Sequence, residues 1–295
     1  MIEQVSIQSS ALRADIVPSR GAGLARFAFN GQDLFQPVPR PGRAPPVDLC
    51  SMVLVPWSNR ISGGGFTFDG AFYPLFPNRP PDPLPIHGNG FQSEWIVSRA
   101  QSDLVELKLA SSGPGPFAYE ATMTYAVYDY ELVMALSVIS RSQIPLPYGL
   151  GFHPFLRRTA EMLLTAPAKG VWLHNDSNLP EKLLPPNEVP DWDFSRQRQL
   201  PHRKINNGFV GWNGCADVVW PEFGLGLAIS ASPTLSNYIA FSPSADAPFF
   251  CFEPVSHAID AHNLPGGADR HGLIRLAPGE STSISCRYQV RHLSQ

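Results

Sequence analysis

Alternation of apolar and polar residues is the clearest pattern along this chain. In "DLVELKLA", Val105, Leu107 and Leu109 alternate with Glu106 and Lys108. Because successive side chains of a β-strand point to opposite faces, this period of two predicts a strand with one buried face.

Similar segments fill much of the chain. The pair "EATMTYAV" and "ELVMALSVIS" flanks residues 128–130 and predicts a hairpin with a short turn. Further strands are predicted in "ADVVW", "LGLAISA", "NYIAF", "PFFCFE" and "STSISCRYQV". Helical periodicity over about ten residues is hard to find. The pattern therefore predicts an all-β fold, a β-sandwich or a large antiparallel double sheet.

Length and composition favour one globular domain over residues 1–295. Of the 295 residues, 43% are hydrophobic and 16% are charged, which supplies enough apolar material for a large core. All-β folds of about 200 to 250 residues commonly form one domain, and no internal repeat or composition break marks a second. The 31 prolines include clusters at 37–48 and 77–85, where we expect loops.

The charge distribution and the targeting signals limit the kinds of binding partner and the cellular compartment that we expect. The net charge of −3 is spread along the chain without a Lys/Arg block, which argues against nucleic acid or an anionic membrane and favours a small, uncharged partner. No signal peptide is expected from "MIEQVSIQSS", and no stretch approaches the about 18 apolar residues of a membrane span. Widely spaced cysteines without a C-x-x-C pair predict reduced thiols in a cytoplasmic protein. They are Cys50, Cys215, Cys251 and Cys286.

Two histidines lie beside tight turns, in "LPIHGNGF" and "YGLGFHPFL". His87 precedes glycine and asparagine, and His153 precedes a proline. Such a histidine is either a surface turn residue or a group held in a cleft by rigid backbone. The segment "GAGLARF" lacks the third glycine of a dinucleotide-binding loop, and the sequence has no phosphate-binding loop or G-x-S-x-G nucleophile turn. Histidines and carboxylates are therefore the remaining candidates for catalytic residues.

Glu253 is the most conspicuous carboxylate, because "PFFCFEP" places it at the end of an otherwise apolar strand. Loss of water would raise its pKa and make it a useful general base. The alternative is a buried ion pair with an arginine such as Arg60.

Four segments, in this order, resemble the aldose 1-epimerase (galactose mutarotase-like) family: "NRISGGGFTFDGAFYPLFPN", "IHGNGF", "GLGFHPF" and "FEPVSHAIDAHN". With the preceding "VPSRGAGLARFAFNGQDLF", the resemblance covers most of the chain. It implies a β-supersandwich with a sugar cleft on a concave sheet, and catalysis without a metal or other cofactor.

The same resemblance implies roles for individual residues. Arg60 and Asn59 of "NR" would bind the substrate's hydroxyls, and His87 would bind near the sugar ring. His153 of "HPF" would be the general acid and Glu253 of "EP" the general base. Mutarotation needs such a pair, since one group takes a proton from the C1 hydroxyl while the other gives one to the ring oxygen.

The chain departs from the family at "INNGFVGW", where many members have "LD-x-x-F". Asn206 stands where a sugar-binding aspartate is expected, so we expect it to bind substrate with altered sugar preference. Asp217 in "CADVVW" is not given that role, because its register matches the following strand.

Other polar clusters have alternative interpretations. His257, His262 and His271 in "HAIDAHNLPGGADRH" could be metal ligands, but their spacing fits no recognised zinc pattern. The resemblance instead accounts for Asp260 and Asn263 as a structural "DA-x-N" segment.

Aromatic residues and glycines beside the motifs are also ambiguous. Trp57, Phe91 and Phe152 could stack on a sugar or belong to the core. Glycines 63–65 are predicted to form a turn.

The sequence therefore predicts an isomerase, a cytoplasmic mutarotase of free aldoses. A non-catalytic sugar-binding protein on the same scaffold is one alternative. A hexose-phosphate mutarotase is another, and it would need basic residues in its cleft, for which Arg79, Arg157 and Arg158 are candidates.

Overall fold

The computed structural model of the chain describes residues 4–36 and 49–293. The proline-rich segment at 37–48, predicted as a loop, lies outside the described residues. The second proline-rich segment, at 77–85, is irregular as predicted.

Strands dominate the described residues, and the helices are short 3-10 turns. The strands are β1 Val5–Gln8, β2 Leu12–Val17, β3 Gly23–Phe29, β4 Gln32–Asp33, β5 Ser51–Leu54, β6 Gly65–Phe68, β7 Ala71–Pro74, β8 Ile96–Ala100, β9 Leu104–Ser111, β10 Tyr119–Tyr128, β11 Glu131–Ser140, β12 Leu146–Tyr148, β13 Gly151–Arg157, β14 Leu163–Thr165, β15 Gly170–His174, β16 Pro180–Leu184, β17 Ile205–Val210, β18 Cys215–Trp220, β19 Leu225–Ala231, β20 Asn237–Ser242, β21 Phe249–Val255, β22 Ile274–Leu276 and β23 Ser281–His292. The 3-10 helices are Gly90–Gln92, Pro186–Glu188, Pro190–Trp192, Pro221–Phe223 and Ala268–His271.

The predicted strands are confirmed. In β9, Val105, Leu107 and Leu109 are buried, whereas Glu106 and Lys108 lie on the other face. Strands β10 and β11 form the predicted hairpin, in which Tyr128 pairs with Glu131 across a two-residue turn. Over the described part of the chain, no helix is long and apolar enough to cross a membrane.

Two large antiparallel sheets form the architecture and confirm the predicted β-supersandwich. The first has 11 strands, in the order β1-β2-β3-β5-β13-β21-β20-β17-β15-β16, with β4 paired to β3. The second has 8 strands, in the order β14-β18-β19-β23-β11-β10-β9-β8. Two short antiparallel pairs, β12-β22 and β6-β7, complete the fold.

The main hydrophobic core lies between the two large sheets. The Trp220 indole of β18 donates a hydrogen bond to the Arg157 carbonyl of β13 at 2.9 Å, and the Phe35 and Tyr288 rings meet edge to face. Burying this apolar surface is the main favourable term in folding.

The 11-strand sheet is also covered on its other face. Phe152 of β13 and Phe252 of β21 point into the main core, whereas Phe155 and Cys251 belong to a second, smaller cluster. Both strands are therefore buried on both faces, which explains their nearly continuous apolar sequences.

The cysteines, all within the described residues, are not in disulfides. Cys50, Cys251 and Cys286 are buried, and Cys215 is exposed.

Candidate active site

A cavity of about 400 Å³ opens on the outer face of the 11-strand sheet. Its walls include side chains of β5, β13, β21, β20 and β17, which are consecutive neighbours in that sheet. All the predicted site residues line it, namely Asn59, Arg60, His87, His153, Asn206 and Glu253.

His153 and Glu253 are brought together by strand pairing. Gly151 pairs with Val255, and Phe155 pairs with Cys251, so His153 and Glu253 lie opposite each other on adjacent strands and on one face. His153 Nε2 is 3.3 Å from Glu253 Oε1. The His153 ring also stacks on Phe155, with 4.7 Å between ring centroids.

Glu253 is held in an environment that disfavours its charge. Its side chain is 2% exposed, and burial raises its pKa to about 8, although the positive charges of Arg60 and Arg79 act in the opposite direction. The second carboxyl oxygen, Oε2, has no hydrogen-bond partner among the described residues. A carboxylate with a raised pKa is a stronger base once ionised.

The alternative ion pair between Glu253 and Arg60 does not form. Arg60 Nη2 instead lies 2.6 Å from Asp82 Oδ2, in the proline-rich loop. Arg60 also makes a long hydrogen bond of 3.4 Å to Asn59 Oδ1. Asp82 therefore holds the guanidinium at the cavity wall, where it can meet hydroxyl oxygens.

His87 is fixed by reciprocal hydrogen bonds with Asn59. The His87 backbone N–H donates to the Asn59 carbonyl at 3.0 Å, and the Asn59 backbone N–H donates to His87 Nδ1 at 3.1 Å. A neutral ring that accepts at Nδ1 carries its proton on Nε2. Burial of the ring is the main reason that the His87 pKa lies well below its usual value, and the positive charges of His153 and Arg79 lower this pKa further. His87 is therefore a neutral hydrogen-bond donor.

The turn at His87 depends on close backbone approach. Val55 pairs with Gly88, and a Cβ on Gly88 would lie 2.1 Å from the Val55 carbonyl oxygen. His87 itself has a φ of 61°. Both histidines are buried, so the surface-turn interpretation is wrong for His87 and His153 alike.

Asn206 lies on β17 and donates from Nδ2 to Asn178 Oδ1 at 2.7 Å. Asp217, which follows Asn206 in the next strand, β18, lies in the other large sheet. It forms an ion pair with Arg291 at 2.6 Å, away from the cavity. Asp217 therefore does not take the place of the missing aspartate.

The histidines at 257–271 hydrogen-bond to separate backbone groups. The Ser58 backbone N–H donates to His257 Nε2 at 2.9 Å, and His257 Nδ1 lies 2.7 Å from the Ala258 carbonyl. His262 Nε2 is 3.1 Å from the Pro147 carbonyl. Within the described ranges, the group of side chains close enough to share a metal ion is a different one, His153, Cys251 and Glu253.

The "DA-x-N" segment is structural, as predicted. Asp260 accepts hydrogen bonds from the Ser62 backbone N–H at 2.9 Å and the Ser62 hydroxyl at 2.7 Å. Asn263 Nδ2 donates to the carbonyls of Ser62 at 3.0 Å and Gly65 at 3.1 Å. These bonds hold the turn formed by glycines 63–65.

The cavity continues outward into a second space of about 780 Å³. Both spaces are lined by Arg60, Arg79 and Asn178, and the outer one also by Asp82 and Asp176. His153 and Glu253 line the smaller space and not the larger one, which adjoins it through these shared residues.

The family model for aldose 1-epimerase matches residues 3–289. The chain belongs to the aldose 1-epimerase family.

Two proteins from Escherichia coli strain K12 are similar in sequence to this aldose 1-epimerase family member. The uncharacterized protein YphB is 35% identical over 267 residues, covering 87% of this chain and 90% of the relative. The uncharacterized protein YihR is 30% identical over 217 residues, covering 70% of this chain and 68% of the relative.

Solved structures share the fold. A candidate aldose 1-epimerase from Escherichia coli K12 is 30% identical, with a TM-score of 0.90 over 98% of this chain and 99% of that one. A GalM/aldose epimerase homologue from C. elegans is 19% identical, with a TM-score of 0.83 over 99% of each chain. At that identity the likeness concerns the fold alone.

Some cavity residues of this aldose 1-epimerase family member were missed from sequence. Trp57, Phe91 and Phe152 belong to the core, and the aromatic side chains that line the cavity are Phe155 and Phe241. Phe155 could have been found, because it lies two residues after His153 and so on the same face of the strand. Asn178 and Lys204, which also line the cavity, have no local signal.

Proposed function

We propose that the protein is an aldose 1-epimerase that interconverts the α and β anomers of a free aldose. The observation that carries this proposal is the buried His153–Glu253 pair, 3.3 Å apart, on the floor of an open cavity of about 400 Å³. A buried acid and base that face a polar cavity are a typical functional site.

In the proposed reaction, the Glu253 carboxylate takes the proton of the C1 hydroxyl while protonated His153 gives a proton to the ring oxygen. The bond between C1 and the ring oxygen breaks, and the open-chain aldehyde forms. Rotation about the C1–C2 bond presents the other face of the aldehyde. Closure then returns one proton to His153 and one from Glu253 to the C1 oxygen, so no cofactor is consumed.

The surrounding groups support these transfers. Burial of Glu253 gives its carboxylate the basic strength to attract a hydroxyl proton, and it keeps competing water away. The Nε2–H of neutral His87 is available to a sugar oxygen. Arg60, Asn59 and Asn206 are proposed to bind the hydroxyls, because all three line the same cavity.

A phosphorylated aldose is the second candidate substrate, since Arg79 and Lys204 line the cavity beside Arg60. The other basic candidates do not support it. The Arg157 guanidinium lies over the Phe223 ring at 4.5 Å, and Arg158 donates to the Ser244 carbonyl at 2.8 Å, both outside this cavity.

A sugar-binding protein without catalysis would have no use for a buried acid and base in contact. Leaving such groups away from water costs stability, so their presence favours an enzyme. A cytoplasmic location is proposed on the cysteines, of which three are buried thiols and none is in a disulfide across the described residues.

The test is anomer exchange measured by NMR over a panel of hexoses, pentoses and their phosphates. Glu253→Gln and His153→Ala should each lower turnover by roughly two to four orders of magnitude. Sugar affinity of Glu253→Gln, measured by calorimetry, should be largely kept. Glu94→Gln, at an exposed position, is the matched control and should keep full turnover.

The outcomes separate the alternatives. Sugar binding by the unmodified protein without exchange of any sugar would favour the non-catalytic alternative. Near-normal turnover in Glu253→Gln would remove Glu253 as the base, and survival of turnover in His153→Ala would move the acid role to His87.

A further inference from the structure

We propose that the floor of the active site also binds a borderline divalent cation such as Zn²⁺, through His153, Cys251 and Glu253, and that this ion inhibits the enzyme. The inhibitory part rests on the proposed function. The binding part stands on the geometry alone and is tested separately.

The three side chains converge on one point of the sheet. One ligand atom from each, an imidazole nitrogen, the Cys251 sulfur and a carboxylate oxygen, lies within 4.8 Å of the other two. Cys251 precedes Glu253 by two residues and therefore shares its face of β21, and Cys251 pairs with Phe155 on the neighbouring strand that carries His153.

This spacing is close to what zinc requires. Bonds of about 2.0 to 2.3 Å in a tetrahedral site place ligand atoms about 3.3 to 3.7 Å apart. Shifts of about 1 Å or less, within reach of side-chain rotations, would bring the set to that geometry.

The donors also select the kind of ion. Thiolate, imidazole and carboxylate together suit Zn²⁺, Co²⁺ or Cd²⁺ better than Mg²⁺ or Ca²⁺, which prefer oxygen ligands alone. On binding, the Cys251 thiol loses its proton to solvent as the sulfur–metal bond forms, and no electron is transferred. The cavity side of the ion leaves a position for water.

Access and inhibition follow from which side chains face the cavity. His153 and Glu253 line it, whereas Cys251 is fully buried and does not. An ion entering from the cavity meets the imidazole and carboxylate first and is then held by the sulfur beside them. It would occupy the lone pairs that the proposed proton transfers use, so the ion and the sugar should compete.

The experiment uses Co²⁺ as a spectroscopic probe of the full-length protein. A cobalt–thiolate bond has a charge-transfer band in the near ultraviolet. We expect this band to saturate at one ion per chain, to disappear in Cys251→Ser, and to persist in Cys215→Ser, whose exposed thiol lies on the other sheet. His153→Ala should weaken Co²⁺ binding and serves as a second variant should Cys251→Ser fail to fold.

Activity provides the second readout. Cys251→Ser should keep turnover, but it should need at least about tenfold more Zn²⁺ for half-inhibition, because loss of even an outer-shell partner costs about 10- to 100-fold in affinity. Zn²⁺ should raise the KM for sugar more than it lowers kcat. Chelation should leave the activity unchanged or increase it.

Absence of the cobalt band in the unmodified protein, or its persistence in Cys251→Ser, would overturn the metal site whatever the enzyme does to sugars. Equal Zn²⁺ inhibition of the unmodified protein and Cys251→Ser would also overturn it. A normal band in a protein that exchanges no sugar would refute the proposed function and leave the metal site supported.

Discussion

Replacing Glu253 by glutamine should make the folded protein more stable at neutral and alkaline pH, although it removes the proposed base. The physical reason is that the Glu253 carboxyl is buried and that burial raises its pKa from 4.5 to about 8. Between these two pH values the unfolded chain carries the carboxylate in water, whereas the folded chain keeps the proton. Folding then takes up a proton, so the parent loses stability as pH rises through this window.

The size of the effect follows from the same two pKa values, at about 1.4 kcal/mol for each pKa unit. Linkage gives the parent a cost of about 1 kcal/mol at about pH 5 and about 4 kcal/mol at about pH 8. Glutamine cannot ionise and avoids this cost. The difference in unfolding free energy between Glu253→Gln and the parent should therefore grow by about 3 kcal/mol from about pH 5 to about pH 8.

Urea unfolding followed by tryptophan fluorescence, repeated at several pH values, measures this difference. Any constant effect of the amide on packing cancels when two pH values are compared. Glu94→Gln, at an exposed position, should show no comparable slope. A flat or reversed slope for Glu253→Gln would refute the reasoning, because it would mean that His153 holds Glu253 ionised in the folded protein.

Three further predictions concern pH, substrate choice and the turn at His87. The kcat/KM for anomer exchange should rise as pH increases towards the Glu253 pKa of about 8, because the carboxylate is the proposed base, and a flat profile from about pH 5 to about pH 9 would count against this role. Asn206→Asp should change the ranking of sugars in kcat/KM by about 1 to 3 kcal/mol for the most affected one, with a smaller effect on the best substrate's kcat. An unchanged ranking would place Asn206 outside the substrate contacts. Gly88→Ala should lower the unfolding free energy by at least about 2 kcal/mol more than Gly70→Ala, because both have positive φ but only Gly88 would clash with Val55; equal losses in urea unfolding would contradict the clash.

The alternation of apolar and polar residues made many of the strands predictable from the sequence. In β9 and in the β10–β11 hairpin, one face is buried and the other is not, so the period of two appears directly in the sequence. Strands β13 and β21 show no such alternation, because both of their faces are buried. The family motifs, rather than periodicity, pointed to His153 and Glu253 on these strands. That residues 1–295 form one domain stays a prediction.

The pairing of strands that are distant in sequence determines which side chains line the candidate site. The side chains around His153 and Glu253 follow from the order β5-β13-β21-β20-β17, and strand order depends on the packing of the whole sheet. For the same reason Phe155 lines the cavity while Trp57 enters the core, although both lie close to a motif. The sequence by itself thus determined the strands, and its family motifs pointed to His153 and Glu253 as the candidate acid and base. Only the tertiary structure placed the Cys251 sulfur beside them, because contacts between side chains of neighbouring strands arise from register and not from any pattern along one strand.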